Sequence, residues 1–385
     1  MPHNRCRRRF IPSPSNSTAT RSDKPAVRSR DRQLEHGRRT AALTIPQHYL
    51  TLVQTRDLAY QRQTESGAAS ADLKLGNTLY TAAMNYRHAF HAGNHADVLK
   101  HIALLALIDT LKRKDTPFFV LDTHAGRGRY QLGGEESRKT NEADAGVMRL
   151  MAESTLPEVV ERYLRAVQAD NQTVARPPTS GQKPARPTAG IQINHYPGSP
   201  LLAAQALREQ DRMAFCELQP DEAEALKHLF ATDSRVRMHA GDGYAAIRAF
   251  LPPRAGETKI GRGLVLIDPP YESQEAEYPQ VIHSVREALA RWPQAICMVW
   301  YPIKLRRSLQ PFMRKAATLP AKSVLVAELQ VRPDDSPLRL TGSGLLLVNA
   351  PWQFDQVLAP ALSALKKHLG EPGAATRLEW LRQDA

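Results

Sequence analysis

The residues in this chain best suited to chemistry are Asp268-Pro269-Pro270-Tyr271. They follow the apolar run Gly263-Leu264-Val265-Leu266-Ile267, which reads as a buried strand of a parallel sheet. An acid at the carboxyl end of such a strand stands where open α/β sheets hold their ligands. The two prolines stiffen the turn, since each fixes φ and removes a backbone donor. The Pro269 carbonyl is thereby held beside the Asp268 carboxylate. Two acceptors on a rigid turn, with an aromatic ring next to them, can grip the exocyclic amine of a planar base stacked on Tyr271. The same residues also read, without chemistry, as a strand end, a Pro-Pro turn and an ordinary covering ring.

A second cluster begins at the apolar run 118–121, Phe-Phe-Val-Leu, which ends in Asp122-Thr123-His124-Ala125-Gly126-Arg127-Gly128. Strand, acid and glycine-rich turn in that order suit a nucleotide, because the glycines allow a tight turn and close backbone approach. Further strands are expected at 213–218, with Glu217 near its end, and at 235–240, followed by Gly241-Asp242-Gly243. An acid in the first position can hold ribose hydroxyls. Asp242 has a second reading as the cap of the next helix, and so does Ser199 in Tyr196-Pro197-Gly198-Ser199-Pro200. The stretch 86–101 carries His88, His91, His95 and His101. No cysteine is near and Asp97 is the only acid there, so polar contacts are favoured over a metal site, and no metal is expected.

These residues need elements to hold them. Apolar positions at Val98, Leu99, Ile102, Leu105, Ala106 and Leu111 mark a helix with Asn94 as N-cap, which puts Lys100 and His101 in its early turns. A helix over 157–170 and a Pro/Thr/Ala-rich low-complexity loop at about 171–190 make a small inserted helical subdomain spanning about 133–195. Helices follow at 201–209, 244–250, 281–290, 305–316 and 355–368, and strands at 295–301, 323–329 and 342–348, the last of which closes the pairing. Strand and helix alternate with short connections, so the fold class is α/β: a Rossmann-like, doubly wound, mostly parallel sheet with an antiparallel edge.

The chain has 385 residues and a net charge of +13. Residues 1–83 hold 14 Lys/Arg against 6 Asp/Glu, so +8 lies there and +5 in 84–385. The first segment is rich in Arg, Ser, Thr and Pro and poor in apolar periodicity, and reads as a disordered basic extension. It could be an RNA-binding arm, a transit peptide, or sequence upstream of a true start at Met84; the last is favoured only by where the family that 84–385 resembles begins. The globular part, 84–385, is mildly basic and compatible with nucleic acid. Cys6, Cys216 and Cys297 are far apart, which fits a reducing compartment. No run of about 18 apolar residues exists, so no membrane span is expected.

Asp268-Pro269-Pro270-Tyr271 resembles the motif of amino methyltransferases that use S-adenosylmethionine. Together with Tyr86-Arg87-His88, Phe90-His91-Ala92-Gly93-Asn94, Asp97, Lys100-His101, the 121–130 turn and 196–200, it resembles one family in particular. That family is RlmJ, the bacterial 23S ribosomal RNA adenine-N6 methyltransferases, with a class I S-adenosylmethionine-dependent fold. The resemblance implies methylation of adenine 2030 of 23S RNA, and the modest charge of +5 on 84–385 points to naked or early-assembly RNA. It implies a cofactor pocket of His101, His124, Ser199, Glu217, Asp242, Gly243 and Asp268, with Asp268 as the catalytic acceptor and Tyr86 as a substrate contact. Lys100, beside His101, could hold a phosphate or the target base, and Tyr271 is a further substrate contact. A cytoplasmic monomer without a stable protein partner is expected. Other readings stay open: an amino methyltransferase for DNA adenine, guanine N2 or protein glutamine, and a non-catalytic RNA-binding assembly factor. Asp268, where glutamine enzymes carry Asn, weighs against glutamine, and the intact Asp122, Gly126 and Gly128 weigh against a non-catalytic role.

Overall fold

A computed structural model describes residues 91–132, 141–175, 193–271, 274–336 and 340–383. The expectations for 1–83 and for Tyr86 fall outside the described residues.

Asn94 caps helix α1 (His95–Lys112), its side chain accepting from the amides of Ala96 and Asp97. Strand β1 (Phe119–Asp122) follows, then β2 (Arg129–Gln131). Short helices α2 (Glu142–Ala145) and α3 (Val147–Met151) lead to α4 (Glu158–Ala175). The short strand β3 (His195–Pro197) returns to pair antiparallel with β2. Next come α5 (Ser199–Ala206), β4 (Arg212–Glu217), α6 (Pro220–Leu229), β5 (Val236–Ala240) and α7 (Gly243–Phe250). A hairpin of β6 (Arg254–Ala255) and β7 (Thr258–Lys259) precedes β8 (Gly263–Ile267). The remainder is α8 (Gln274–Arg291), β9 (Ile296–Ile303), a 3-10 turn (Arg306–Leu309), α9 (Gln310–Ala317), β10 (Ser323–Gln330), β11 (Gly342–Val348), α10 (Phe354–Leu369) and β12 (Ala375–Gln383).

Eight strands form one sheet in the order β12-β10-β11-β9-β8-β1-β4-β5. From β5 to β9 every pairing is parallel; β11 runs antiparallel to both β9 and β10, and β12 antiparallel to β10. This is the doubly wound, Rossmann-like architecture expected. The chain leaves β1 for β4 and β5 on one side, then crosses to β8 and β9 on the other. The strand order therefore reverses between β1 and β8, where such sheets hold their ligands.

Both sheet faces are covered. Val120, Leu264 and Leu266 pack under α1, α4, α5 and α10, while Phe119, Leu121, Val265 and Ile267 pack under α7, α8 and α9. That division follows from the two-residue period of a strand. Each of these side chains is buried to within 1%, which stabilises the fold by about 1.5–3 kcal/mol apiece.

Four expectations need correction. The pairing does not end at 342–348, because β12 adds an outer strand to β10. The low-complexity loop cannot begin at 171, because α4 runs to Ala175; residues 176–192 lie outside the described residues. The inserted helices have no core of their own: Val160, Tyr163, Leu164 and Val167 of α4 join the main core beside α1. Helix α8 starts at Gln274, seven residues before the expected 281, with Pro279 inside it. A proline there removes one helical hydrogen bond and so reads as a helix boundary, yet the chain continues helical through it.

Candidate active site

Strand alternation brings the two key acids to one face. Asp122 is two residues beyond Val120, and Asp268 two beyond Leu266, so both continue the row that packs under α1. Asp122 pairs in register with Leu266, which sets Asp268 just beyond it on the neighbouring strand. Helix α1 supplies the counter-charge. Lys100 Nζ donates to Asp268 Oδ2 at 2.5 Å and stands 2.9 Å from Asp97 Oδ1. Lys100 is 4% exposed. Burial alone would lower its pKa, but the carboxylates of Asp268 and Asp97 outweigh that and raise it well above the usual lysine value. Lys100 therefore stays an ammonium at neutral pH and cannot serve as a base. The other oxygen of Asp268, Oδ1, has no hydrogen-bond partner among the described residues, and the side chain keeps 14% exposure.

The turn after β1 is tied down on every side. The Ser199 hydroxyl, at the start of α5, donates to Asp122 Oδ2 at 2.7 Å. Burial pushes the Asp122 carboxyl up to about 7, although that hydrogen bond pulls it back. Thr123 Oγ1 donates to the Leu266 carbonyl at 2.9 Å and lies 2.8 Å from His124 Nδ1. A hydroxyl has one proton, so His124 Nδ1 must be the donor in the second bond, leaving Nε2 as an acceptor. Burial lowers His124 to about 4, which keeps the ring neutral. Its edge meets Tyr244 of α7 at 5.0 Å.

Gly126 has φ +62 and donates its amide to Glu217 Oε2 at 2.8 Å; the Gln219 amide donates to Oε1 at 2.7 Å. Burial raises the Glu217 carboxyl against these two bonds. At Gly243 a Cβ would stand 1.8 Å from the Thr123 carbonyl oxygen, so only glycine lets α7 approach β1 this closely. Asp242 caps α7 through one oxygen, 2.9 Å from the Tyr244 amide, and is exposed. The crevice thus has a glycine turn flanked by acids at the ends of β1, β4, β5 and β8. Carboxylate acceptors in this arrangement fit the hydroxyls and amines of a nucleoside with a positively charged chain.

Of the residues expected in the site, Lys100, His124, Ser199, Glu217, Asp242, Gly243 and Asp268 gather at this crevice. His101 is 0% exposed one position after Lys100. Its Nδ1 lies 2.7 Å from the Tyr196 hydroxyl, which is 2.9 Å from that of Tyr163. It belongs to an interior network behind Lys100. Tyr271 departs from expectation. Its φ of +51 turns the ring to the opposite face of the sheet, where it is 2% exposed, lies 5.5 Å from Tyr278 and donates to the Trp300 carbonyl at 2.8 Å. It offers no stacking face to a base in this structure.

Sequence reasoning missed Asp97, although its place three residues before Lys100 on a helix is the spacing of an ion pair. Its other oxygen accepts from the Gly93 amide at 3.0 Å, tying the helix start to the site. The pairing of Tyr244 with Glu277 at 2.8 Å had no sequence signal, since 33 positions separate them.

A family profile described as "Ribosomal RNA large subunit methyltransferase D, RlmJ" matches residues 115–382. Ribosomal RNA large subunit methyltransferase J of Escherichia coli K12 is 38% identical over 299 residues, 77% of this chain and 99% of that protein. The protein of the same name from Haemophilus influenzae is 37% identical over the same shares. A crystal structure of a Legionella pneumophila protein superposes with a TM-score of 0.63 at 30% identity, covering 75% of this chain and 98% of that one.

Proposed function

Because this chain belongs to the RlmJ family of ribosomal RNA large subunit methyltransferases, we propose that its crevice methylates the N6 amine of an adenine in 23S ribosomal RNA, with Asp268 as the group that acts on that amine. The protein is an S-adenosylmethionine-dependent ribosomal RNA methyltransferase. The observation that carries the site assignment is the Asp268 carboxylate, held by Lys100 through one oxygen with the other unengaged among the described residues, at the β1/β8 reversal.

S-adenosylmethionine supplies an electrophilic methyl group on a sulfonium. The acids at the ends of β1, β4 and β5 and the glycine turn would hold it, Glu217 through the ribose hydroxyls, Asp242 through the adenine amine and Asp122 through the charged end. Asp268 Oδ1 and the Pro269 carbonyl accept the two hydrogens of the target amine. Such bonds favour a pyramidal nitrogen and free a lone pair otherwise delocalised into the ring. Asp268 then takes the proton that the amine loses. Lys100 fixes the carboxylate and stays charged throughout. Tyr86, with the neighbouring His/Arg segment, contacts the substrate on this reading.

The target base must leave its stack to bring its amine between Asp268 and the methyl group, at a cost of a few kcal/mol that is least at unpaired positions. Recognition rests on RNA shape, phosphates and 2′-hydroxyls. A charge of +5 on 84–385 fits a small footprint on protein-free RNA. On this reading the protein works as a monomer in the cytoplasm; the free thiols Cys216 and Cys297 fit a reducing compartment, and no helix among the described residues is long and apolar enough to cross a membrane.

The test is tritiated methyl transfer to protein-free 23S RNA, assembled large subunits and duplex DNA in parallel, with digestion to nucleosides. N6-methyladenosine should form fastest on the free RNA. Preference for duplex DNA, or another methylated nucleoside, would overturn the reading.

A further inference from the structure

A cleft of about 410 Å³ opens beside the Asp268 loop, between the first turns of α8 and the segment that follows β9. Both walls arise at the carboxyl edge of the sheet, the edge that carries Asp122, Glu217 and Asp268. One wall contributes Gln274 and Tyr278, the other Arg307, Ser308, Phe312 and Lys315. A cavity of this size lies in the range that takes a nucleotide-sized ligand, roughly 300–1,000 Å³.

The floor is apolar. Tyr278 and Phe312 stack on each other at 4.6 Å with their planes 24° apart and are 9% and 2% exposed, so neither offers an open ring face, and Pro279 and Pro311 line the slot beside them. Tyr278 also meets Tyr271, three residues from Asp268, so the cleft adjoins the catalytic turn through one ring contact. Gln274 Nε2 donates to the Pro302 carbonyl at 3.1 Å and to the Tyr278 hydroxyl at 2.5 Å. With both amide hydrogens used, its carboxamide oxygen has no partner among the described residues and can accept from a ligand's donor.

The rim is cationic. Arg306 directs its charge to Glu328 at 2.9 Å and to Gln330. Arg307 and Lys315 are exposed, and neither side chain has a carboxylate partner among the described residues. Cations over an apolar slot match a base with its phosphate: the slot takes the base out of water whatever its identity, and the cations hold the backbone.

We propose that this cleft binds one unpaired nucleotide of the RNA flanking the target adenine, base in the apolar slot beside Pro279 and Pro311 and phosphate between Arg307 and Lys315. The proposal rests on the RNA methyltransferase reading. It assigns the cleft to holding the strand while the neighbouring base enters the crevice, and it gives the Asp268 loop a second anchor on the RNA.

The test uses the full chain and protein-free 23S RNA. Ser308→Trp fills the cleft, and Arg307→Ala/Lys315→Ala removes the rim charge; all three positions are exposed, so folding is spared. Methyl-transfer kinetics should show KM for RNA raised about tenfold in each variant, with kcat within about twofold of the parent and S-adenosylmethionine affinity unchanged. The double variant should also flatten the log–log salt dependence of RNA binding by about 0.7. An RNA KM within twofold of the parent in both variants would overturn the proposal while leaving the enzyme assignment standing. Failure of the parent protein to methylate the RNA would instead bring down the assignment, and the cleft proposal with it.

Discussion

Asp122 is the group in the crevice that changes charge near neutral pH. Burial pushes its carboxyl up to about 7; the Ser199 hydroxyl lowers it, the Asp268 charge raises it and the Lys100 ammonium lowers it. An acid raised in this way keeps its proton in the folded protein where the unfolded chain has lost it. Its contribution to stability is therefore full below 3.8 and declines as pH rises through about 7. Ligand binding has the opposite sign, because a sulfonium cofactor prefers the ionised carboxylate. S-adenosylmethionine affinity should rise between about pH 6 and 8, and Asp122→Asn should remove that rise; calorimetric titration at several pH values checks both. An unchanged pH profile in Asp122→Asn would show that Asp122 is not the titrating group. The carboxylates at strand ends were legible in the sequence, because an acid that closes an apolar run marks the sheet edge where ligands bind. The burial of Tyr271 was not, because the positive φ that turns its ring away is set by the turn, and tyrosine carries no mark of it.

Elements decide whether those residues meet. Helix α7 reaches β1 only because Gly243 has no side chain, and its capping residue is Asp242. Gly243→Ala must push α7 away from the Thr123 carbonyl. It should cost about 1–3 kcal/mol of stability and weaken S-adenosylmethionine binding at least about tenfold, with RNA affinity unaffected. Gly261→Ala, where a Cβ meets nothing within 4 Å, is the control and should stay within about 0.5 kcal/mol. Chemical denaturation and cofactor titration of the two variants measure the difference. Equal effects at both glycines would show that the close approach of α7 to β1 does not set the cost. Strands such as β8 and β11 were legible as short apolar runs buried on both faces. Strand β12 was not: Ala375–Gln383 mixes Arg, Glu and Gln with half-buried Leu and Trp, as an edge strand does, and its pairing comes from β10 alone.

For the whole molecule, the alternation of strand and helix made the doubly wound class legible, but the strand order was not, since nothing local says that β1 lies between β8 and β4. That order is what builds the site. It lays α1 across the sheet so that Lys100 meets Asp268, 168 positions later in the chain. It also aligns the ends of four parallel strands around one crevice. Sequence located most of these residues without showing that Asp97, Lys100 and Asp268 form one buried ion triad. The triad, the crevice and the strand order are what support the proposed role of Asp268 on an adenine amine in ribosomal RNA. That role is decided by labelled methyl transfer from S-adenosylmethionine to protein-free 23S RNA, by the parent protein and by Asp268→Ala, with nucleoside analysis, cofactor affinity and circular dichroism run alongside. The parent should yield N6-methyladenosine. The folded variant should bind cofactor and fall at least about a thousandfold in rate, roughly 4 kcal/mol of barrier. An Asp268→Ala protein that turns over within about tenfold of the parent would take that role away from Asp268.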